Sequence, residues 1–408
     1  MRRLAIPHVV RCLAAEPVTH GPRFHFFGYY DKSPWDASGR HLLGLETDFM
    51  DRPPTPGDAA TIGLIDTARG NAWRPLARTF AWNWQQGTML HWLPSAADRL
   101  VTYNCRQGDR FQAVILDVVT GEERRLPRPI YALSPDGKTA LSTNFSRLAD
   151  MRPGYGYVGL ADPGRDDPAP TDDGIYRMDL ETGEHGLIIS YAQVARPHRA
   201  GGRPQRDASM ERAKHWFNHL QVAPGGSRFA FLHRWVAWGT ARPWKTRLFT
   251  ANFDGAELFC LADQDMVSHY DWRDPTHILA WARQHDVGDR YFLFTDRTRA
   301  PATGAREVMG EGLFPTDGHC SFSPDRRWVL TDTYPDREGQ RTLILYRPQD
   351  NLRVDIGRFF APPELGGEIR CDLHPRWSRD GRRVSFDSAH EGSRQMYVLD
   401  VSAVVGAP

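Results

Sequence analysis

Hydrophobic positions in this chain alternate with polar ones over short runs, and the runs end in turns built from Ser, Pro, Asp and Gly. One pattern recurs seven times: a short strand, such a turn, then a second apolar strand. "YYDKSPWDASGRHLLGLE" starts it at Tyr29, "MLHWLPSAADRLVTYN" at Met89 and "IYALSPDGKTALSTN" at Ile130. "HLQVAPGGSRFAFLH" follows from His219, "HYDWRDPTHILAWAR" from His269, "HCSFSPDRRWVLTDT" from His319 and "HPRWSRDGRRVSFDS" from His374. Most units continue into a third strand ending in an acidic turn, as in "QAVILDVVTGEE" and "GIYRMDLETGEH". Helical periodicity is weak throughout, its best candidate being "DASMERAKHWF".

Units starting roughly 40 to 90 residues apart have the size of four-stranded propeller blades with variable insertions. The pattern predicts an all-β fold: a seven-bladed β-propeller spanning residues 1–408 as one domain, with inner strands starting near 29, 89, 130, 219, 269, 319 and 374. The last unit lacks a fourth strand. The N-terminal segment "VVRCLAAEPV" is expected to supply it and close the ring, which hides nearly all sheet edges. The turn spacing is too long for a β-sandwich and too irregular for a β-helix.

In a blade the first strand lies beside the central channel, so the residue opening it sits at one rim. Four consecutive units open on histidine: His219, His269, His319 and His374. Histidine fills only 16 of 408 positions, so four at one phase argue for a shared site over four separate strand caps. Clustered imidazoles without cysteine suit Mn, Zn, Ni or Fe, with carboxylate and amide oxygens completing the shell. Asp372 shares the face of His374 by strand alternation, Asp317 precedes His319 by the same interval, and Gln221 follows His219 by two. The same rim receives long loops carrying Arg106, Arg147, Arg152, Arg234, Lys245 and Arg283 among Tyr155, Tyr157, Trp235 and Trp244. Arginine forks grip carboxylates and flat rings stack on pyranoses, a combination matched to an acidic sugar.

Bulk properties narrow the classes further. Basic and acidic residues nearly cancel, 51 against 50, so no general field favours nucleic acid or an anionic membrane. No apolar stretch is long enough to span a bilayer. The apolar part of the N-terminus, "LAIPHVV", is too short and interrupted for a secretory signal, so a cytoplasmic location is expected. Five scattered cysteines without a CxxC fit a reducing compartment.

"HPRWSRDGRRVSFDSAHEGSRQMYVLDV", "HCSFSPDRRWVL", "NHLQVAPGGSRFAFLH" and "FFGYYDKSPWDASGRHLLGL" together resemble the oligogalacturonate lyase family of polysaccharide lyases. The resemblance implies a cytoplasmic seven-bladed propeller that cleaves uronic-acid oligosaccharides by β-elimination at a mainly histidine, manganese-type metal site. The family's last unit carries an "HPHP"-like element; here it reads "DLHP", so His374 matches its second histidine and Asp372 stands in place of the first. On this reading His269, His319, His374 and Asp372 hold a divalent metal, Mn by resemblance. His219 is the base, and Tyr30 or Lys32 protonates the leaving oxygen. Tyr29, Gln221, Arg147, Arg234 and Trp235 contact an acidic oligosaccharide. The expected assembly is a monomer or weak homo-oligomer. Two other readings stay open: a glycoside hydrolase acting on acidic sugars, and a non-catalytic propeller that binds at the rim.

Overall fold

The computed structural model describes residues 8–196, 208–211, 213–240, 243–297 and 306–406. Seven sheets follow one another along the chain, each built on an antiparallel run of strands in sequence order (four in the first six, three in the last, which takes its fourth from the N-terminus), the arrangement of a seven-bladed propeller. The stretch read as helical is instead a single turn at Ala208–Met210 leading into the strand Ala213–Val222. Its period is 2, and the apolar residues Trp216 and Leu220 are buried in the sheet stack.

Every inner strand makes an equivalent pair with its neighbour. These pairs are Trp35↔Leu42, Trp92↔Val101, Leu133↔Ala140, Val222↔Phe229, Trp272↔Ile278, Phe322↔Val329 and Trp377↔Val384. Three residues back from the inner member lies the lead position of each blade. It holds Lys32, Met89, Ile130, His219, His269, His319 and His374. In the first blade this position holds Lys32 rather than Tyr29, and in the fourth His219 lies within the strand, which begins at Ala213, rather than opening it. Between Phe26↔Leu45 and Trp35↔Leu42 the inner strand spends nine residue steps while its partner spends three. The surplus bulges away from the ladder and carries Tyr29 and Tyr30 with it, while that blade's inner strand begins earlier, at Phe24–Phe26.

The N-terminus closes the ring as expected. Ala15–Pro17 lies antiparallel on Gln395–Asp400 as the outer strand of the last blade. Val18 N–H donates to Met396 O at 2.8 Å, so alternation puts Pro17 at a non-bonded pair, where its missing N–H costs nothing. Just before it, His8–Val10 adds a fifth, parallel strand to the sixth blade along Leu352–Phe360. Tryptophans fill the sheet stack; Trp35, Trp82, Trp84, Trp216, Trp272 and Trp328 are fully buried. All five cysteines are free, four of them buried. Among the described residues, no helix is long and apolar enough to cross a membrane.

Deleting residues 1–18 bares the edge of Gln395–Asp400 and should cost about 3 kcal/mol or more, seen in calorimetry as a thermal midpoint lower by several degrees. An unchanged midpoint would show that the clasp does not hold the ring.

Candidate active site

The four histidines converge. Ring centroids of His269 and His319 are 4.1 Å apart, and those of His319 and His374 are 4.4 Å apart. His219 completes the group across the axis, with Tyr29 and Tyr30 in the middle. Tyr29 lies 5.2 Å from His219 and 5.1 Å from His374, while Tyr30 is 5.3 Å from His319 and 5.6 Å from His269. Lys32 occupies the fifth polar lead position, beside the last blade. Met89 and Ile130 make the other side of the rim apolar.

Three lead residues, Met89, His219 and His374, have left-handed backbone, with φ of 52°, 53° and 41°. Non-glycine residues in that region cost about 1 kcal/mol or more each and gather at functional sites. At His219 the ladder slips between Asn218 and Gln221, so strand alternation fails there. Gln221 therefore does not sit beside the His219 ring. Its amide donates to Asp271 at 2.6 Å, one layer down the channel, where burial pushes the Asp271 carboxyl up to about 6.

His219 faces two oxygens through Nε2: Tyr30 Oη at 3.4 Å and the Asp31 carboxylate at 3.8 Å. A proton on Nε2 suits both and leaves the lone pair on Nδ1, which is buried and has no partner among the described residues. Burial, then the crowding of other titratable groups that would repel a second positive charge, His269 and Lys32 foremost, hold the ring well below the usual histidine pKa, so it is neutral at pH 7.

Lys32 and Tyr30 are committed elsewhere. The Lys32 ammonium donates to both oxygens of Asp31 at 2.9 Å, in a pair that is almost wholly buried. Tyr30 Oη donates to Tyr270 O and accepts from Tyr270 N–H, each at 3.0 Å. Its proton is engaged, and burial raises its pKa far above the ordinary phenol value. Tyr30 has its proton engaged with Tyr270 O, and Lys32 bears on His219 through Asp31, which takes two of the contacts of its ammonium.

A metal-sized cluster lies on the opposite side. Ligand atoms of His319, Asp372 and His374 fall within 4.8 Å of one another, all buried. His319 Nδ1 lies 2.8 Å from Asp332, which fixes the tautomer and leaves Nε2 as an acceptor. The Nε2 atoms of His319 and His374 have no partner among the described residues. Two buried imidazole nitrogens beside a carboxylate fit a divalent cation. His269 stands outside this trio, its Nδ1 held by Asp317 at 3.1 Å, so Asp317 serves His269 and not His319. Arg370 donates to one oxygen of Asp372 at 2.6 Å; Arg341 forms an ion pair with the other at 2.8 Å, but that oxygen accepts no hydrogen bond among the described residues. Burial alone would raise that carboxyl, but the two guanidiniums outweigh it and hold it well below the usual range.

The loop arginines divide. Arg147 is fully buried and spends every donor inside the protein. It bonds Asp162 at 3.0 Å and the carbonyls of His215, Gly164, Asp167 and Pro168. It anchors the 161–173 loop and cannot grip a substrate, a correction to the sequence reading. Trp235 is likewise buried, stacked on His233 with its indole N–H donating to Ser209, so it offers no face to a sugar. Arg106 is spent on the carbonyls of Pro56 and Val158, and Arg283 on Asp289. Arg234 remains available, buried with Nε unpartnered among the described residues and its guanidinium 5.8 Å from the Trp244 ring centre. Arg152 has a free Nη1, and Arg341 a free Nε and Nη1, in the same sense. Buried N–H groups left over by the protein need an external acceptor, which is what a carboxylated ligand provides.

Sequence reasoning missed Arg341, Arg370, Asp31 and Asp332. Each lies close to a lead residue along the chain or on a second or third strand behind one, positions the repeat alignment passes over. Asp31 is legible as the neighbour of Lys32; the arginines carry no signal.

No family model matches the chain, and no curated protein does. Solved structures do. The oligogalacturonate lyase of Vibrio parahaemolyticus superposes with a TM-score of 0.64 at 14% identity, over 95% of this chain and 94% of that one. An oligogalacturonate lyase in complex with manganese gives 0.63 at 15%, over 95% and 93%. The β-propeller domain of the Trilobed protease from Pyrococcus furiosus gives 0.51 at 10%, over 94% and 95%. The fold is that of the oligogalacturonate lyases, as the repeat units led one to expect.

Arg147→Met keeps the bulk of the side chain but strands buried Asp162. It should lower stability to urea by about 3–5 kcal/mol, without the loss of ligand affinity a substrate arginine would show. A mutant of normal stability and weakened affinity would restore Arg147 to the site.

Proposed function

We propose that the protein is a lyase that cleaves uronic-acid-containing oligosaccharides by β-elimination. One observation carries the reading: four imidazoles meet around the axis of a fold shared with the oligogalacturonate lyases, next to buried arginines whose remaining N–H groups seek a carboxylate. The reaction removes the proton from C5 of a uronate, expels the oxygen on C4 and leaves a C4=C5 double bond. That proton is very weakly acidic beside an ionised carboxylate, so charge developing on the carboxylate must be stabilised and a neutral base must stand ready.

His219 meets the second need. Its neutral ring, oriented through Nε2 by Tyr30 and Asp31, presents Nδ1 as proton acceptor. Arg341, Arg152 and Arg234 meet the first by hydrogen bonding to the sugar carboxylate. His319, His374 and Asp372 would hold a divalent cation, with His269 beside them. When bound, such an ion supplies Lewis-acid stabilisation of the same carboxylate. The manganese complex of an oligogalacturonate lyase supports this part of the reading. Tyr29, central among the rings, closes one wall against the substrate. A hydrolase reading is less well supported, because Asp31, Asp317, Asp332 and Asp372 are each tied to a cation or an imidazole, and none is left as a free pair.

The direct test is ultraviolet absorbance of an unsaturated uronate during incubation with acidic oligosaccharides; reducing ends released without that chromophore would point to hydrolysis. His219→Ala should cut turnover by about 100-fold or more while substrate still binds by calorimetry. The base works unprotonated and its pKa is depressed, so activity should persist as pH falls. The acid limb of kcat/KM is expected below the ordinary histidine value of about 6.5. A limb at or above that value would exclude His219 as base.

The ion-holding role has its own check. Asp332→Asn leaves the three ligands in place but loosens His319, so manganese affinity measured by calorimetry should fall about 10- to 100-fold. Unchanged affinity would place the ion elsewhere.

A further inference from the structure

Tyr155 stands on the loop after the short helix Phe145–Met151, between Gly154 and Gly156. A Cβ on Gly154 would lie 2.8 Å from Cβ of Glu368, and one on Gly156 would strike the backbone of Phe145 and Ala149. The loop is therefore pressed between that helix and the turn Gly367–Ile369, which fixes where the phenol points. Arg370 Nη2 donates to Tyr155 Oη at 2.7 Å, and the Arg152 guanidinium lies 3.9 Å from the centre of the Tyr155 ring. The ring is 6.2 Å from Tyr29, which itself touches the rings of His219 and His374. Tyr155 thus shares the wall of the histidine site and faces two cations there.

Its surroundings set it apart among the tyrosines. Tyr29, Tyr30, Tyr131, Tyr270 and Tyr334 around the same axis are all pushed up, burial being the main cause. Burial would raise Tyr155 as well, but Arg152 and then Arg370 outweigh it, against Asp372, and its pKa is lowered. Tyr29 and Tyr334 are the other titratable groups facing it.

We propose that Tyr155 is the general acid that protonates the leaving oxygen, a role that rests on the lyase reading above. As the C4–O bond breaks, its electron pair stays with the departing oxygen and takes the Tyr155 hydroxyl proton. The C5–H pair becomes the C4=C5 bond, and the C5 proton goes to His219. Arg152 and Arg370 neutralise the phenolate that forms, and exchange with water returns the proton from His219 to it, so no net proton is gained or lost. The arrangement supplies a phenol proton that Tyr30, bonded to Tyr270 O, does not offer.

Tyr155→Phe separates this role from a structural one through the leaving group. On an oligosaccharide, whose sugar alkoxide needs a proton, turnover should fall about 100-fold or more. On a uronide carrying a nitrophenolate at C4, which leaves unprotonated, it should stay within a few-fold of wild type. Equal losses on both substrates, or no loss on the oligosaccharide, overturn the assignment while the lyase reading stands. Absence of elimination by the wild-type protein on any uronide overturns that reading and the acid role with it. Independently of turnover, ultraviolet titration of the wild-type protein should show a tyrosinate forming below the ordinary value of about 10, missing in Tyr155→Phe. A first tyrosinate appearing only above that value also overturns the assignment.

Discussion

Between the last blade and the first, Arg376 and Asp387 form a buried ion pair at 2.6 Å, and the backbone of residues 27–29 is threaded through it. Asp387 accepts from the N–H groups of Phe27 and Gly28, while Arg376 donates to the carbonyls of Gly28 and Tyr29. Both charges are thereby satisfied by each other and by main chain, the condition under which a buried pair is tolerable. Gly28, at φ +127°, lies so close to the Gln86 backbone that a Cβ would sit 2.8 Å from it. Only glycine can take that bend, and the bend sends the surplus residues of the first inner strand toward the axis.

Position is then handed from residue to residue across the channel. The clamp places Tyr29 and Tyr30 in the middle of the lead residues. Tyr30 is locked by the N–H and C=O of Tyr270, so the first and fifth blades are tied to each other. Tyr270 in turn donates its hydroxyl to His219 O, and Tyr131 Oη accepts from His219 N–H at 2.6 Å. With both backbone polar groups of His219 held by tyrosines of neighbouring blades, its left-handed backbone is fixed from outside its own strand. That is how an unfavourable φ persists at a site residue: the surroundings over-determine it.

The sequence is informative where the repeat is regular and silent where the chain departs from it. Strand, turn and strand recur with their pattern intact in seven units, so the architecture and the shared location of four histidines can be read directly. Tyr29 falls at the wrong phase because "SPW" in the first unit mimics the "SPD" turn elsewhere. The true turn is made by Asp36, whose N–H donates to His41 O as Ser323 N–H does to Trp328 O. Arg147 and Trp235 look like ligand contacts because loops hold arginine and tryptophan for two reasons. Sequence alone does not separate a guanidinium that binds five internal acceptors from one that is spare. The Arg341–Asp372–Arg370 arrangement joins two blades, and no local pattern announces a contact of that kind.

The departure at Asp372 ties these strands together. A carboxylate among two imidazoles adds negative charge where a cation is to sit, which would favour binding, yet it is ion-paired to two guanidiniums, with one oxygen hydrogen-bonded to Arg370. The arginines draw charge density away from any ion held there. They also bring positive potential of their own to the place where a uronate carboxylate must be stabilised. Charge stabilisation at this site is thus divided between bound ion and fixed arginine. Because Arg370 also donates to the Tyr155 hydroxyl, the group that balances Asp372 helps, with Arg152, to set the character of a neighbouring phenol. The chemistry of the rim therefore follows less from any single lead residue than from one guanidinium shared between a carboxylate and a tyrosine.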